Sequence, residues 1–369
     1  KKYPDIDMPT AITQIAGRKV AAEKIPSWWE IEKIWYPKHL SLEQCSSEIT
    51  ARYKARLLQG DSLTDLTGGF GIDCSFLATG FKSATYVERQ EELCEIAAHN
   101  FPVLNLNHIN IKNEDGVTYL QVMSPVDSLF LDPARRNEHG GKTVAISDCE
   151  PNVAELEELL LQKANRVMIK LSPMLDLSLA LKELKQTQEV HILSVNNECK
   201  ELLILLGQTS PAEISIHCVN LFTKGTQKEQ HFVFTREQEQ CSECTYTDSL
   251  ETYLYEPNAS LLKAGAFRSI AAAYPVRKLH PNSHLYTSDT FIENFPGRIF
   301  RIVNQCSFNK KEVKENLADL KKANVTVRNF PATVAELRKR IHLAEGGDTY
   351  LFASTLNNGQ KVLIRCEKV

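Results

Sequence analysis

A glycine-rich turn between a strand-like run and a helical pattern constrains the fold of this chain most tightly. The segment DLTGGFGID, residues 65–73, follows a short apolar run and opens a helical stretch. Glycines let the backbone turn sharply and let N–H groups approach a ligand at the helix N-terminus. Strand-like runs then alternate with helical stretches, as in parallel βαβ units. We therefore predict a doubly wound, Rossmann-like α/β domain with a ligand site at the carboxyl edge of its sheet.

The period of the apolar residues predicts the elements of this domain. The predicted strands are 62–66, 83–88, 109–112, 128–131, 166–170 and 191–195. The predicted helices are 74–79, 90–101, 152–163 and one near 199–206. Two further β-rich runs, 213–222 and 230–235, predict a terminal antiparallel hairpin. A dinucleotide-binding sheet usually stays parallel to its edge, so the hairpin separates this fold from that class.

The remaining sequence predicts three more regions around the sheet domain at 59–236. Residues 1–58 are predicted to be helical, with helices at 10–23 and 41–58, and Ser41 with Gln44 as a capping box. Residues 237–295 read as a mixed connector with a helix at 259–273 and an extended stretch at 284–287. Residues 296–369 alternate as βαβαββ, which predicts a small ferredoxin-like or THUMP-like α/β module.

Composition narrows the class of protein. The chain is 43% hydrophobic and 24% charged, and it holds no apolar run long enough for a membrane helix, so we expect a cytoplasmic protein without a membrane partner. Ten scattered cysteines indicate reduced thiols, and the Cys241/Cys244 pair lacks a second pair at ligand spacing, so no metal is expected.

The net charge is −3, yet residues 296–369 hold 14 Lys and Arg against 7 Asp and Glu. That asymmetry indicates a module facing a polyanion, or a solvated lysine-rich helix surface.

Carboxylates follow three successive predicted strands. Asp65 ends the first strand and suits a cationic amino group. Glu88 ends the second strand, where a carboxylate can accept from both ribose hydroxyls. Asp115 follows the third strand, where it can accept from an adenine amino group. Each acid alone is commonly a turn residue, but together they suit a ligand with an amino acid, a ribose and an adenine.

The fourth strand leads into DPARR, residues 132–136. This motif, with DLTGGFGID, Glu88 and Asp115, resembles the class I S-adenosylmethionine-dependent methyltransferases, particularly the RNA- and DNA-modifying branches. The rest of the chain resembles a group of bacterial methyltransferase-like proteins with a THUMP-like C-terminal domain. The segments that carry this second resemblance are SLEQCSSEITARYKA (41–55), EPNASLLKAGAF (256–267), FPGR (295–298) and RNFP (328–331).

The resemblance implies S-adenosylmethionine as the cofactor and RNA, tRNA or rRNA, as the substrate. The cofactor contacts that it implies are Asp65, Thr67, Gly68, Gly69, Gly71, Glu88, Asp115 and Asp132. Gln44 and Ser47 would join them if the N-terminal helix packs over the site. The catalytic candidates are Asp132, which orients or deprotonates the acceptor nitrogen, Pro133, which sets the exit of the chain, and Arg135.

The motif departs from the family pattern at its third position. The RNA- and DNA-modifying branches carry Asp-Pro-Pro followed by an aromatic residue or by Arg, and in the amino-methylating enzymes the aromatic ring stacks on the target base. Ala134 and Arg135 occupy those places here and supply no ring, which disfavours adenine amino methylation by that arrangement. Arg135 or Arg136 could stack on a base or hold a phosphate, or could simply pair with nearby acids. Lys170 at the end of the fifth strand could contact substrate anions or reach solvent, and Ser172 and Pro173 could shape the target pocket.

The sequence is also compatible with other functions. A nicotinamide- or flavin-dependent oxidoreductase is disfavoured by Asp65 before the turn and by GGxG spacing in place of GxGxxG. A catalytically degenerate RNA-binding protein, or a methyltransferase acting on a protein or small molecule, also fits the sequence. A cysteine-nucleophile mechanism is disfavoured because DPARR contains no cysteine and Cys149 is too distant in sequence to be assumed close.

Overall fold

The chain folds as two units, and each unit is built around its own strands. In the computed structural model, which describes residues 7–135, 145–209 and 211–369, the first unit comprises Lys1–Val195 and Lys200–Ile214. The second unit comprises Asn196–Cys199 and Ser215–Val369. We keep the predicted domain boundaries at residues 58, 236 and 295 as a proposal.

Short apolar runs become the strands of the first unit. They are β1 (Ser62–Asp65), β2 (Ser83–Glu88), β3 (Ile109–Asn113), β4 (Val126–Leu131), β5 (Ala134–Arg135), β6 (Cys149–Glu150), β7 (Ala164–Leu171), β8 (Thr187–Val195) and β9 (Glu198–Gly207). Apart from the separate β5–β6 pair, the described strands of this unit lie in the order β8-β9-β7-β4-β1-β2-β3. β1 runs parallel to β2 and β4, and β4 runs parallel to β7, so these strands end at one edge. This order confirms the predicted doubly wound sheet.

One predicted helix is wrong. The run near 199–206 forms strand β9, which pairs antiparallel with β7. Residues 201–207 are all buried, because β9 lies between two other strands with both faces covered. A strand buried on both faces loses the alternation that marks a strand in sequence, so its apolar run could not be told from a buried helix.

Helices precede and cover this sheet. They are α1 (Met8–Lys24), α2 (Pro26–Trp29), α3 (His39–Gln44), α4 (Glu48–Lys54), α5 (Ile72–Ala78), α6 (Glu91–Val103), α7 (Gly116–Val122), α8 (Val153–Lys163) and α9 (Leu177–Glu183). Apolar side chains of the first four helices, such as Ala21, Trp28 and Leu42, share one core with Phe70 and Phe76. The N-terminal helices therefore pack against the glycine turn and α5.

The predicted helix at 41–58 is interrupted, and its capping box is wrong. Ser41 lies inside α3, whose N-cap is Lys38, and α4 begins after Ser47. Between the two helices the chain turns Ser46 inward, where its buried hydroxyl donates to Asp73 Oδ2 at 2.7 Å. The break between α3 and α4 therefore allows a buried hydrogen bond between segments that are distant in sequence. Helical periodicity contains no signal for such a contact.

The second unit contains the predicted hairpin, a mixed region and the C-terminal module. Its strands are β10 (Ser215–Leu221), β11 (Glu229–Thr235), β12 (Tyr253–Pro257), β13 (Arg277–Lys278), β14 (Tyr286–Ser288), β15 (Gly297–Ser307), β16 (Asn324–Val327), β17 (Thr349–Thr355) and β18 (Lys361–Lys368). Its helices are α10 (Arg236–Cys241), α11 (Ala259–Ala264), α12 (Ser269–Ala273), α13 (Lys310–Leu317) and α14 (Val334–Ile341). Its described strands from β12 onward lie in the order β13-β14-β12-β15-β18-β17-β16.

The structure confirms the antiparallel β10–β11 hairpin and the βαβαββ order of the C-terminal module. The predicted helix at 259–273 is instead two short helices, because Gly265 takes a left-handed conformation (φ +77°) and ends α11. Across the described residues, no helix is both long and apolar enough to span a bilayer.

Candidate active site

A cavity of about 1290 Å³ opens where the strands of the first unit end. It exceeds the roughly 300–1,000 Å³ of most small-molecule sites, so it has room for a nucleoside and a second group. The structure brings nearly all of the predicted site residues to its wall: Asp65, Thr67, Gly68, Gly69, Gly71, Glu88, Asp115, Asp132 and Pro133. Gln44, Lys170, Ser172 and Pro173 also line it.

The glycine turn passes close to a tyrosine ring. A Cβ added to Gly68 would lie 2.2 Å from Tyr86 Cε2, so a side chain there would displace the ring. Gly71 has φ +85° and forms the N-cap of α5. Both positions require glycine, since one lacks space for a side chain and the other has a backbone conformation that side chains disfavour. The turn thus brings its backbone to the cavity wall.

The Asp65 carboxylate is buried, and only one of its two oxygens accepts a hydrogen bond within the described part of the chain. Its Oδ1 accepts from the Thr67 N–H at 3.0 Å, whereas its Oδ2 is buried and has no hydrogen-bond partner among the described residues. Burial raises the pKa of Asp65 to about 8. An unpartnered buried carboxylate oxygen is costly, and a cationic ligand in the cavity would remove that cost.

Two further carboxylates are oriented by backbone N–H groups. Glu88 accepts from the Gly69 N–H and from the Gln90 N–H, both at 2.8 Å. Asp115 caps α7, with Oδ1 accepting from Val117 N and Thr118 N at 3.0 Å each. These bonds hold both carboxylates in place and leave lone pairs for hydroxyl and amino donors of a ligand.

Asp132 pairs with Lys170 at the cavity wall. The Lys170 ammonium donates to Asp132 Oδ2 and lies 3.5 Å from Asp73 Oδ2. Although burial disfavours the ammonium, the Asp132 and Asp73 carboxylates raise the pKa of Lys170. Burial raises the pKa of Asp132 above its usual range, despite this lysine. Of the two roles predicted for Lys170, the reach to solvent is wrong, because its side chain is 11% exposed and held by carboxylates.

Lys54, Asp73 and Glu201 extend this pair into a buried network. Lys54 is fully buried and contacts Asp73 Oδ1 and Glu201 Oε2, each at 2.8 Å. Although burial favours the neutral acid, Lys54 and Lys170 lower the pKa of Asp73. These three residues were not predicted as a group from the sequence, since they lie on α4, α5 and β9 and share no local pattern. A buried Lys is rare enough to signal a partner, but its burial is visible only in the fold.

Other predicted positions behave differently. Ser47 is not part of the cavity wall and instead precedes α4. The backbone of Arg135 pairs with Cys149 in the short β5–β6 pair, whereas the Arg135 side chain and Arg136 lie outside the described residues. This pairing brings Cys149 to the cavity wall, buried, although it is distant in sequence. The sequence alone did not allow Cys149 to be placed near the site, and the structure now places it there.

Together, the strand order, the glycine turn and the carboxylates at successive strand ends define a class I methyltransferase-type fold. The C-terminal part matches two family models. One describes a ferredoxin-like domain and covers residues 253–296, and the other describes a THUMP domain-like fold and covers residues 297–368.

The particular family follows from a crystal structure described as a "putative methyltransferase" from Porphyromonas gingivalis W83. This chain is 37% identical to it, the match covers 99% of this chain and 92% of that one, and the TM-score is 0.90. The chain therefore belongs to the same family, in which a methyltransferase-type fold is joined to ferredoxin-like and THUMP-like domains.

Two other solved structures match shorter parts of the chain at low identity. A protein from Streptococcus mutans, with the same description and solved in complex with SAH, is 14% identical over 43% of this chain and 96% of its own, with a TM-score of 0.32. An rRNA methylase from Streptococcus thermophilus is 15% identical over 43% of this chain and 93% of its own, with a TM-score of 0.31. No curated protein matches the sequence.

Proposed function

We propose that this protein transfers a methyl group from S-adenosylmethionine to a base nitrogen in RNA, either tRNA or rRNA. The observation that carries the proposal is the set of carboxylates around one cavity, with a buried and unpartnered oxygen on Asp65. The sulfonium of the donor supplies an activated methyl group, so catalysis rests mainly on the position of the acceptor.

The residues fit this donor part by part. Asp65 would pair with the amino group of its methionine portion, Glu88 would accept from the ribose hydroxyls, and Asp115 would accept from the adenine amino group. The backbone of Thr67, Gly68, Gly69 and Gly71 would lie along the donor. Membership of a methyltransferase-type family supports the same assignment.

Asp132 is the proposed catalytic residue. Its Oδ2 is held by Lys170, and its Oδ1 has no partner among the described residues. The free oxygen can accept a hydrogen bond from an N–H of the acceptor and can take its proton, because burial raises the pKa of Asp132. Pro133 would fix the direction in which the chain leaves this carboxylate, and we keep Arg135 as a candidate contact to the base or a phosphate.

RNA is proposed as the substrate because of the second unit. It contains a THUMP domain-like fold, and residues 296–369 carry an excess of seven positive charges. Phosphate contacts predict RNA binding that weakens steeply with salt. A second candidate, an RNA-binding protein without catalysis, is favoured by one observation, the alanine at position 134 in place of the usual motif.

Two measurements test the proposed function. Calorimetric titration with S-adenosylhomocysteine should show binding, and a tritiated methyl donor should label RNA from cells that lack the protein, with nucleoside mass analysis to identify the base. Asp132→Asn should lower the transfer rate by about 10²- to 10³-fold. Binding without transfer to any RNA would favour the second candidate, and label on protein or small molecules would reject the RNA substrate.

A further inference from the structure

Three separate sequence segments meet at one buried carboxylate in the second unit. Glu256 opens the EPNASLLKAGAF segment, Arg298 ends FPGR, and Arg328 opens RNFP. Glu256 Oε2 accepts from Arg298 Nε at 2.8 Å and from Arg298 Nη2, and its Oε1 accepts from Arg328 Nη2 at 3.1 Å. The Glu256 side chain is only 2% exposed. We call these three residues the arginine–glutamate cluster.

The backbone builds this cluster into the sheet. Glu256 on β12 lies directly opposite Arg298 on β15 in an antiparallel pair. A Cβ on the neighbouring Gly297 would lie 2.1 Å from the Glu256 carbonyl oxygen, so the two strands approach too closely there for any other residue. Arg328 is anchored by its N–H, which donates to the Ala353 carbonyl at 2.9 Å. The positions of both arginines are therefore fixed by main-chain contacts.

The cluster carries an excess of positive charge that reaches solvent. Two guanidinium groups share one carboxylate, and the side chains of Arg298 and Arg328 are 32% and 36% exposed. The Arg298 guanidinium also lies over the rings of Phe300 and Tyr350, at 5.5 and 6.0 Å from their centroids, which restrains its plane. Within the described ranges, Arg298 Nη1 and Arg328 Nε have no hydrogen-bond partner.

We propose that the arginine–glutamate cluster binds a backbone phosphate of the RNA substrate. A phosphate oxygen can accept from guanidinium N–H groups that Glu256 and the aromatic rings already hold in place, so little side-chain entropy is lost on binding. The identity of the ligand as RNA rests on the proposed function. The cluster itself does not take part in methyl transfer and would serve only to hold the RNA.

Salt-dependent RNA binding tests this site. The probes are a short fluorescein-labelled single-stranded RNA and bulk tRNA, titrated with the full chain at several salt concentrations. Arg298→Gln and Arg328→Gln should each weaken binding about tenfold at low salt, as expected for loss of a charged hydrogen bond. Each should also reduce the steepness with which the logarithm of the association constant falls with log [salt], by about 0.7–0.9, as expected for the loss of one phosphate contact.

A matched control separates a specific site from general charge. Arg301 lies on the same strand and pairs with Glu367, but its side chain is 59% exposed. Arg301→Gln should weaken binding at most about twofold, since its charge is solvated and screened. If the Arg298 and Arg328 variants match the Arg301 variant in affinity and in slope, the proposal is overturned.

The arginines also hold Glu256, so folding must be checked separately. Thermal melts would show whether each variant is folded, and Arg328→Lys provides a milder change that keeps the charge and loses the planar fork. A folded Arg328→Lys protein should bind RNA more weakly than wild type and more tightly than Arg328→Gln, with a nearly unchanged slope. Wild-type RNA affinity in Arg328→Lys would contradict a role for the planar guanidinium of Arg328 in phosphate binding. This binding assay does not depend on catalysis, so it can fail while donor binding and transfer succeed.

Discussion

Both units bury carboxylates against cations, but the balance of charge is opposite. In the first unit two lysines, Lys54 and Lys170, face three carboxylates, Asp73, Asp132 and Glu201. In the second unit two arginines face the single carboxylate of Glu256. With every group ionised, the first cluster has a charge of −1 and the second a charge of +1.

The difference matches the ligands proposed for the two sites. The negative cluster borders a cavity proposed for a cationic donor, whereas the positive cluster reaches solvent, where a phosphate could meet it. The clusters also differ in their exposure. Lys54 is fully buried, so each group in its network depends on its partners. The arginines are about one-third exposed, so water shares in their solvation. Stability should therefore depend on the first cluster far more than on surface pairs.

Removal of Lys54 should give the largest effect. Lys54→Met leaves Asp73 and Glu201 as buried carboxylates with one cation fewer, which should cost about 3–5 kcal/mol in the free energy of unfolding. Urea unfolding measures it. The matched control is Lys82→Met, which breaks an ion pair with Asp61 of the same 2.8 Å length but 79% and 68% exposed. That control should cost less than about 1 kcal/mol. Equal losses in both variants would contradict the contrast between buried and exposed charge.

Asp65 should give the next effect, through donor binding. Asp65→Asn removes the carboxylate proposed to pair with the donor's amino group, so affinity for S-adenosylhomocysteine should fall about 100-fold, roughly 2.7 kcal/mol. Because burial raises the pKa of Asp65 to about 8, wild-type affinity should rise between pH 6 and 8 as the carboxylate ionises. The asparagine variant should lose this rise. Calorimetry at several pH values measures both, and a wild-type affinity independent of pH would contradict the assignment.

The same pKa determines the sign of a stability effect. The folded protein holds the Asp65 proton more tightly than the unfolded chain, so this group stabilises the unliganded fold at low pH. That contribution should disappear as the pH rises from about 4 to about 8. Asp65→Asn lacks it, so the variant should gain thermal stability relative to wild type as the pH rises. A stability difference that stays constant with pH would show that Asp65 is not buried as an acid.

The grouping of carboxylates at the strand ends of the first unit was predictable because it follows from the topology of a parallel sheet. Carboxyl ends of parallel strands meet at one edge, so Asp65, Glu88, Asp115 and Asp132 could be grouped from their positions after four successive runs. The structure places all four on one cavity wall. The order of strands and helices in the C-terminal module was also predictable, because its apolar residues repeat with the period of a strand or of a helix in each element.

The buried network was not predictable, because its members depend on tertiary contacts. Lys54 and Glu201 are 147 positions apart and lie on elements whose sequence patterns were misread. Helical periodicity joined α3 and α4 into one helix, and the uniform burial of β9 removed its alternation. Cys149 reached the cavity through the β5–β6 pair, which is too short to have a sequence signature.

The smallest expected effect lies on the surface of the second unit. Arg301 and Glu367 approach to 2.8 Å, but their side chains are 59% and 54% exposed. Such a pair is only slightly more stable than its two ions hydrated separately. Arg301→Gln should therefore change the free energy of unfolding by less than about 0.5 kcal/mol. Urea unfolding at low and high salt would measure it, and high salt should remove the difference. A loss near that of Lys54→Met would mean that ion-pair distance outweighs burial, which would break the comparison between the two units.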